Sequence, residues 1–310
     1  MALNAQEDVV STIGTYVAQS QVEASPPSSW FSRRFVQASA VIGVLLLAAA
    51  GSGLFLHPYT AETAFARNGY RGADLVSLAL VLPLLAYATW ATTRGSTRGT
   101  VLWLGWLGYV VYQYGYTFAY QWNRLFLVYL ALLSLSAFTV VSALVALDPL
   151  SLARRFDAST PTRAVSRFVW FVGTGLGLME FAQIVPTIFT GERPEIVTLT
   201  GHPTSPVYVL DLGLVVPLMV LAGVWLRGRR PWGYVAAGAL LVKGLTVGLG
   251  LLAANLFAVL NDGKTDGPLN VLWAAIALGG GVALWRFLRH VRAVDQTETA
   301  VPVRSRTEPA

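Results

Sequence analysis

"WGYVAAGALLVKGLTVGLGLLAANLFA" (residues 232–258) is apolar almost from end to end, with Lys243 near its middle. The run exceeds the about 20 helical residues that cross a hydrocarbon core, and no proline interrupts it. A lysine at the centre of a membrane helix costs about 2.5–3.5 kcal/mol on insertion scales. The chain holds only one other lysine, Lys264, so lysine-rich composition does not account for the position. The stretch sets the fold class, a membrane-spanning helix, and raises the first functional question.

The rest of the chain follows the same pattern. Of 310 residues, 55% are hydrophobic and 12% charged, and the mean hydropathy is +0.56. A soluble domain this apolar could not cover itself with polar surface. The charges cluster in short segments between apolar runs, so the net charge of +6 points to a lipid bilayer and not to nucleic acid. No cysteine is present, which excludes disulfides, thiolate metal sites and cysteine nucleophiles. The expected fold is an all-α integral membrane protein, a bundle of eight transmembrane helices. The spans fall near 36–56, 74–91, 100–121, 124–147, 165–189, 206–226, 232–258 and 269–288.

Orientation follows from the arginines. With the N-terminus cytoplasmic, Arg33, Arg34, Arg94, Arg98, Arg154, Arg155, Arg163, Arg167, Arg227, Arg229, Arg230, Arg286, Arg289, Arg292, Arg304 and Arg306 all lie inside. Arg67, Arg71, Arg124, Arg193 and Lys264 fall outside. That asymmetry puts both termini in the cytoplasm. Arginine far outnumbers lysine, and Ala, Gly, Leu and Val are abundant, as in GC-rich bacterial genomes; a bacterial inner membrane is expected. The polar first residues, with Glu7, Asp8 and Glu23, do not read as a cleaved signal peptide.

The expected organisation is a cytoplasmic arm (1–31), a first four-helix unit (32–147), a cytoplasmic linker (148–164), a second four-helix unit (165–290) and a disordered cytoplasmic tail (291–310). The arm places Val9, Val10, Ile13, Tyr16 and Val17 on one helical face. The two units read as a parallel duplication. "SRRFVQASAVIGVLLLAAAGSG" (32–53) is similar to "VSRFVWFVGTGLGLMEFAQIVP" (165–186). "VSLALVLPLLAYATW" (76–90) is similar to "LDLGLVVPLMVLAGVW" (210–225), with Pro83 and Pro217 at nearly the same offset from Phe35 and Phe168. "YVLDLGLVVPLMVLAGVWL" (208–226) also resembles spans of uncharacterised bacterial multi-spanning membrane proteins, over one span and with no activity implied.

Polar groups inside the apolar spans are the candidate functional residues. Tyr109, Tyr112, Gln113, Tyr116, Tyr120 and Asn123 share one stripe of the third span, about 21 Å long. Lipid cannot satisfy a tyrosine hydroxyl, so the stripe is expected to face other helices or a water-filled pathway. Glu180 and Gln183 sit on a face of the fifth span continued by Gly173 and Gly177. Asp211 lies one turn inside the sixth, where a helix N-terminus favours a carboxylate; Asp74 reads the same way, as the acidic start of the second span. Lys243 is flanked by Ala236, Ala239, Thr246 and Gly250, with Gly244, Gly248 and Asn255 on the adjacent edge. Its stem is too short for easy escape to the interface, so it requires a partner within the bundle. Depth favours Glu180 first and Asp211 second.

No HExxH, GxSxG or Walker motif is present, so no enzyme class is indicated. His57, His202 and His290 all lie near span ends; no cofactor and no metal is expected. A lysine in a seventh span near a carboxylate is similar to retinal-binding rhodopsins. Eight spans, and Ala239 where microbial rhodopsins carry an acid one turn before the lysine, argue against that. The pattern points to a carrier or permeation protein for a small polar or anionic solute, its pathway lined by Lys243, Glu180, Gln183, Asp211, Tyr109, Tyr112, Gln113, Tyr116 and Asn255. The alternative is a non-catalytic membrane scaffold or assembly factor in which the cluster only fixes helix packing. Reporter fusions after Arg98, Arg163 and Arg230 should report cytoplasm, and a fusion after Arg193 the outer side; one reversed sign would remove the topology.

Overall fold

Inside hydrocarbon, backbone N–H and C=O groups must be bonded within the chain, and helices do this locally. The computed structural model describes residues 30–120, 122–263 and 267–292, with the side chains of 117–120 left aside. The arm's expected amphipathic helix, Lys264 and the tail beyond Arg292 lie outside the described residues.

The elements run α1 (Arg33–Phe55), α2 (Ala64–Val76), a π turn (Ser77–Val81), α3 (Leu82–Thr93), α4 (Thr97–Tyr120), α5 (Phe126–Ala146), the short α6 (Pro149–Arg154), α7 (Thr162–Thr190), the short α8 (Glu195–Thr200), α9 (Pro206–Leu210), a second π turn (Asp211–Val215), α10 (Val216–Arg227), α11 (Pro231–Asp262) and α12 (Gly267–Leu288). Among the described residues, seven helices are long and apolar enough to cross a membrane: α1, α2–α3, α5, α7, α9–α10, α11 and α12. Large apolar side chains such as Val44, Phe138, Phe171, Leu178 and Leu278 are exposed along them. An aqueous surface does not carry such faces, and the chain is a multi-pass helical membrane protein.

The eighth expected span, α4, is the exception on composition: its tyrosines, tryptophans and glycines keep it off that count. It is also deeply interior, with Val101, Trp103, Leu104, Trp106, Leu107, Tyr109, Val110 and Tyr114 buried. A helix that meets protein on most sides has no need of a lipid-like composition.

The second span starts ten residues earlier than position 74. Thr63 caps α2, its Oγ1 accepting from the Ala66 N–H at 3.2 Å. Asp74 therefore lies three turns along the helix and is buried. It does not mark a polar end.

Both second-in-unit spans share a backbone irregularity. Each π turn ends two residues before a proline, Val81 before Pro83 and Val215 before Pro217. Proline removes one N–H and crowds the carbonyl four residues earlier. Widening the preceding turn relieves both effects, and Leu82 N–H bonds to Ser77 O as Val216 N–H bonds to Asp211 O.

Among the helices before the linker, α1 packs on α2, α3 and α5, α3 on α4, and α4 on α5. Among those after it, α7 packs on α10, α11 and α12, α10 on α11, and α11 on α12. Across the linker, α11 packs on α2 and α4, and α9 on α4. The linker is tied down: Phe156 bridges to Val291, the Asp157 N–H donates to His290 O and the Arg292 N–H to Arg155 O, each at 2.9 Å. Val291 and Arg292 thus belong to the folded unit.

Close approach in the bundle depends on glycine. A Cβ on Gly72 of α2 would meet the backbone of Ala254 in α11, and one on Gly248 of α11 would meet Trp273 O and Ala277 in α12. Gly250 has open space beside it. Gly72→Val should lower thermal stability in detergent by about 1–3 kcal/mol, the usual range for overpacking, while Gly250→Ala leaves it unchanged or slightly raised.

Candidate functional site

The polar site at the middle of the bundle is built by four helices. α11 brings Lys243, α4 brings Tyr112, the π turn after α9 brings Asp211, and α7 brings Glu180. Lys243, Asp211 and Glu180 are buried, at 9%, 4% and 2% exposure. The Lys243 ammonium lies over the Tyr112 ring, 3.0 Å from its centroid. A cation on the face of an aromatic ring gains from the ring quadrupole, and the gain grows when water is excluded.

The charge partner ranks differently from the depth argument. Among the described residues neither carboxyl reaches Lys243 as a direct ion pair, and the Asp211 charge acts on the amine more strongly than Glu180. Asp211 opens the π turn Asp211–Val215. Among the described residues Glu180 Oε2 and Asp211 Oδ1 are buried and have no hydrogen-bond partner.

The remaining expected residues are placed elsewhere. Gln183 is exposed on α7, accepting from Tyr208 Oη at 2.8 Å and donating to Met179 O at 3.4 Å. Asn255 bonds the side chain of Asn270 between α11 and α12. Tyr109 is bonded to Ser77 Oγ at 2.9 Å and donates to Ala73 O at 3.2 Å, which ties α4 to α2. Tyr116 packs on Tyr70, ring centroids 5.4 Å apart, and Gln113 is half-buried. The stripe of α4 is thus shared between separate contacts and does not form one continuous lining.

A third buried carboxyl, Asp74, lies deeper than its reading as a span start implies. Tyr59 Oη donates to Asp74 Oδ2 at 2.5 Å. Tyr129 is within bonding reach of Tyr59 and accepts from Asn123 Nδ2 at 3.4 Å. Gly53 makes the room, since a Cβ there would overlap Asp74 and Tyr59. The available signal was Thr63, whose capping position fixes the helix start and with it the depth of Asp74. At the same end Glu62 pairs with His202 at 2.9 Å. No group of three or more potential metal ligands occurs among the described residues.

No protein-family model, curated protein or solved structure matches the chain.

Breaking one side of a buried charge pair strands the other charge. Asp211→Asn should destabilise the protein, and Lys243→Met in that background should recover part of the loss. A double-mutant cycle by thermal unfolding should return a coupling of about 0.5–3 kcal/mol. It should exceed the coupling from the Lys243→Met and Glu180→Gln cycle; the reverse order would return Glu180 to first place.

Proposed function

We propose that the protein is a carrier for a small polar or anionic solute, with Lys243, Asp211 and Glu180 as the coupling site and Tyr112 as its aromatic floor. One observation carries the reading: two buried carboxyl oxygens in this cluster lack hydrogen-bond partners. A cluster that only fastened helices would close its bonds, because an unmet buried polar group is costly. A site that takes and releases a ligand or proton leaves them open. Two buried carboxyl groups beside a single ammonium leave one negative charge in excess, and a proton bound to one carboxyl balances it. With the ammonium nearby, the cluster can exchange that proton without an unpaired charge being left in hydrocarbon.

In this reading α4 is the eighth crossing, and the arginine-rich end faces the cytoplasm of a bacterial inner membrane. The chain is a parallel duplication. The paired π turns support that, with the pairing of α11 on α2 answered by that of α4 on α9. A pseudo-twofold axis along the membrane normal, between α4 and α11, relates the halves.

A scaffold reading draws on one fact, the low exposure of Lys243. Proteoliposomes loaded with a pH-sensitive dye separate the two. Against a panel of small carboxylates, amino acids and inorganic anions, at least one solute should drive proton movement in the wild type. Lys243→Met should abolish it while the protein stays monodisperse. No response to any solute, together with native folding of a Lys243→Met, Asp211→Asn, Glu180→Gln variant, would favour the scaffold.

A further inference from the structure

The linker "DASTPTRAVSR" (157–167) and the turn "RGRRP" (227–231) meet at the arginine-rich end of the bundle. Arg229 holds them together, its Nη2 donating to Ala158 O at 2.9 Å. Its own backbone is left-handed, with φ of 52°, a conformation uncommon outside glycine. Around this junction a cleft of about 320 Å³ is lined by Ala158, Ser159, Thr160, Pro161, Thr162, Arg163, Arg227 and Arg229.

The lining is one-sided in charge. Three arginines and no acidic residue are among its lining residues, with the Arg227 guanidinium lying 6.0 Å from the Trp170 ring centroid. The nearest acid in sequence, Asp157, is engaged elsewhere. It accepts from the Ser159 N–H at 2.7 Å and pairs with Arg292 at 3.3 Å. Among the described residues Arg163, Arg227 and Arg229 form no ion pair. The N-terminus of α7 opens into the same place, with no side-chain cap and no acid in its first turn. Its dipole adds partial positive charge. Like charges gathered around one hollow repel, and an anion accepted there removes the repulsion.

We propose that this cleft binds a phosphate group, with Arg163 and Arg227 as its principal donors, Arg229 as the residue that shapes it, and the Ser159 and Thr162 hydroxyls completing it. Guanidinium groups match phosphate oxygens in paired hydrogen bonds, and several converging cations suit a group of more than one negative charge. The cleft sits where the spans end. The phosphate is carried either by an anionic lipid headgroup or by a small soluble phosphate ester.

The test uses the full-length protein in detergent, with native mass spectrometry and thermal shift as readouts. Probes are phosphatidic acid, phosphatidylglycerol, phosphatidylcholine, glycerol 3-phosphate and inorganic phosphate. The variant is Arg163→Gln with Arg227→Gln. The control is Arg33→Gln with Arg34→Gln, two exposed arginines at the same end. Anionic lipid or glycerol 3-phosphate should bind the wild type and the control, and bind the variant at least about tenfold more weakly. Binding of lipid alone assigns the headgroup as the source; binding of glycerol 3-phosphate as well assigns the phosphate group itself. Equal loss in variant and control would reduce the effect to general surface charge and overturn the site, as would no binding of any probe. Should the double variant fail to remain monodisperse, Arg163→Gln alone is read against the same criteria.

Discussion

Hydrocarbon offers no hydrogen bonds, and that single deficit arranges the molecule. A small hydroxyl between the membrane faces can bond its own helix backbone, as Thr89 and Ser136 do, while larger polar side chains mostly look to another helix. The two helices that hold most of them, α4 and α11, therefore occupy the interior, and the more uniformly apolar spans surround them. Trp103 on α4 donates to Ser39 of α1 at 2.8 Å, and Tyr109 reaches α2. Trp170 of α7 donates to Val220 O of α10 at 2.9 Å. Each of these bonds fixes a rotation about a helix axis that apolar packing alone would leave loose.

Much of the architecture is legible in the sequence because hydropathy reports on lipid contact. Most span positions agree with the structure to within a few residues at each end. The reading fails where a span is not lipid-facing. α4 was expected as a span but is too polar to qualify on composition, since its polar side chains face protein. The first turns of α2 hold Arg67, Asn68 and Arg71, so hydropathy starts that span too late. Asn68 is bonded to Asp262 at 2.9 Å and Arg71 stacks on Phe257, both of α11. Polar pairing across helices separated by nearly two hundred positions leaves no local trace.

The site shows the same division. Lys243 is conspicuous on its own, because one cation in an apolar run contrasts with everything near it. Its environment was less accessible. Depth counting placed Glu180 ahead of Asp211, since it assumes a regular helix. The π turn at Asp211–Val215 breaks that assumption, and it arises from Pro217, which lies beyond the turn it alters. Tyr112 was visible as part of a stripe, but that its ring and not only its hydroxyl meets the lysine depends on how α4 and α11 cross.

The clasp between residues 155–157 and 290–292 bears on how the halves can move. It joins the segment between the two units to the end of the last helix, through backbone bonds and the Phe156 ring set 4.7 Å from Phe287 and 4.9 Å from Tyr234. Arg98 of α4 reaches over to Val291 O at 3.0 Å, so the first unit is buttoned to the same spot. With the linker, the end of α12 and the start of α4 fastened together, those three segments cannot separate at this end without breaking hydrogen bonds. The Tyr59–Asp74 and Glu62–His202 contacts hold the loop between α1 and α2, at the far end of α1.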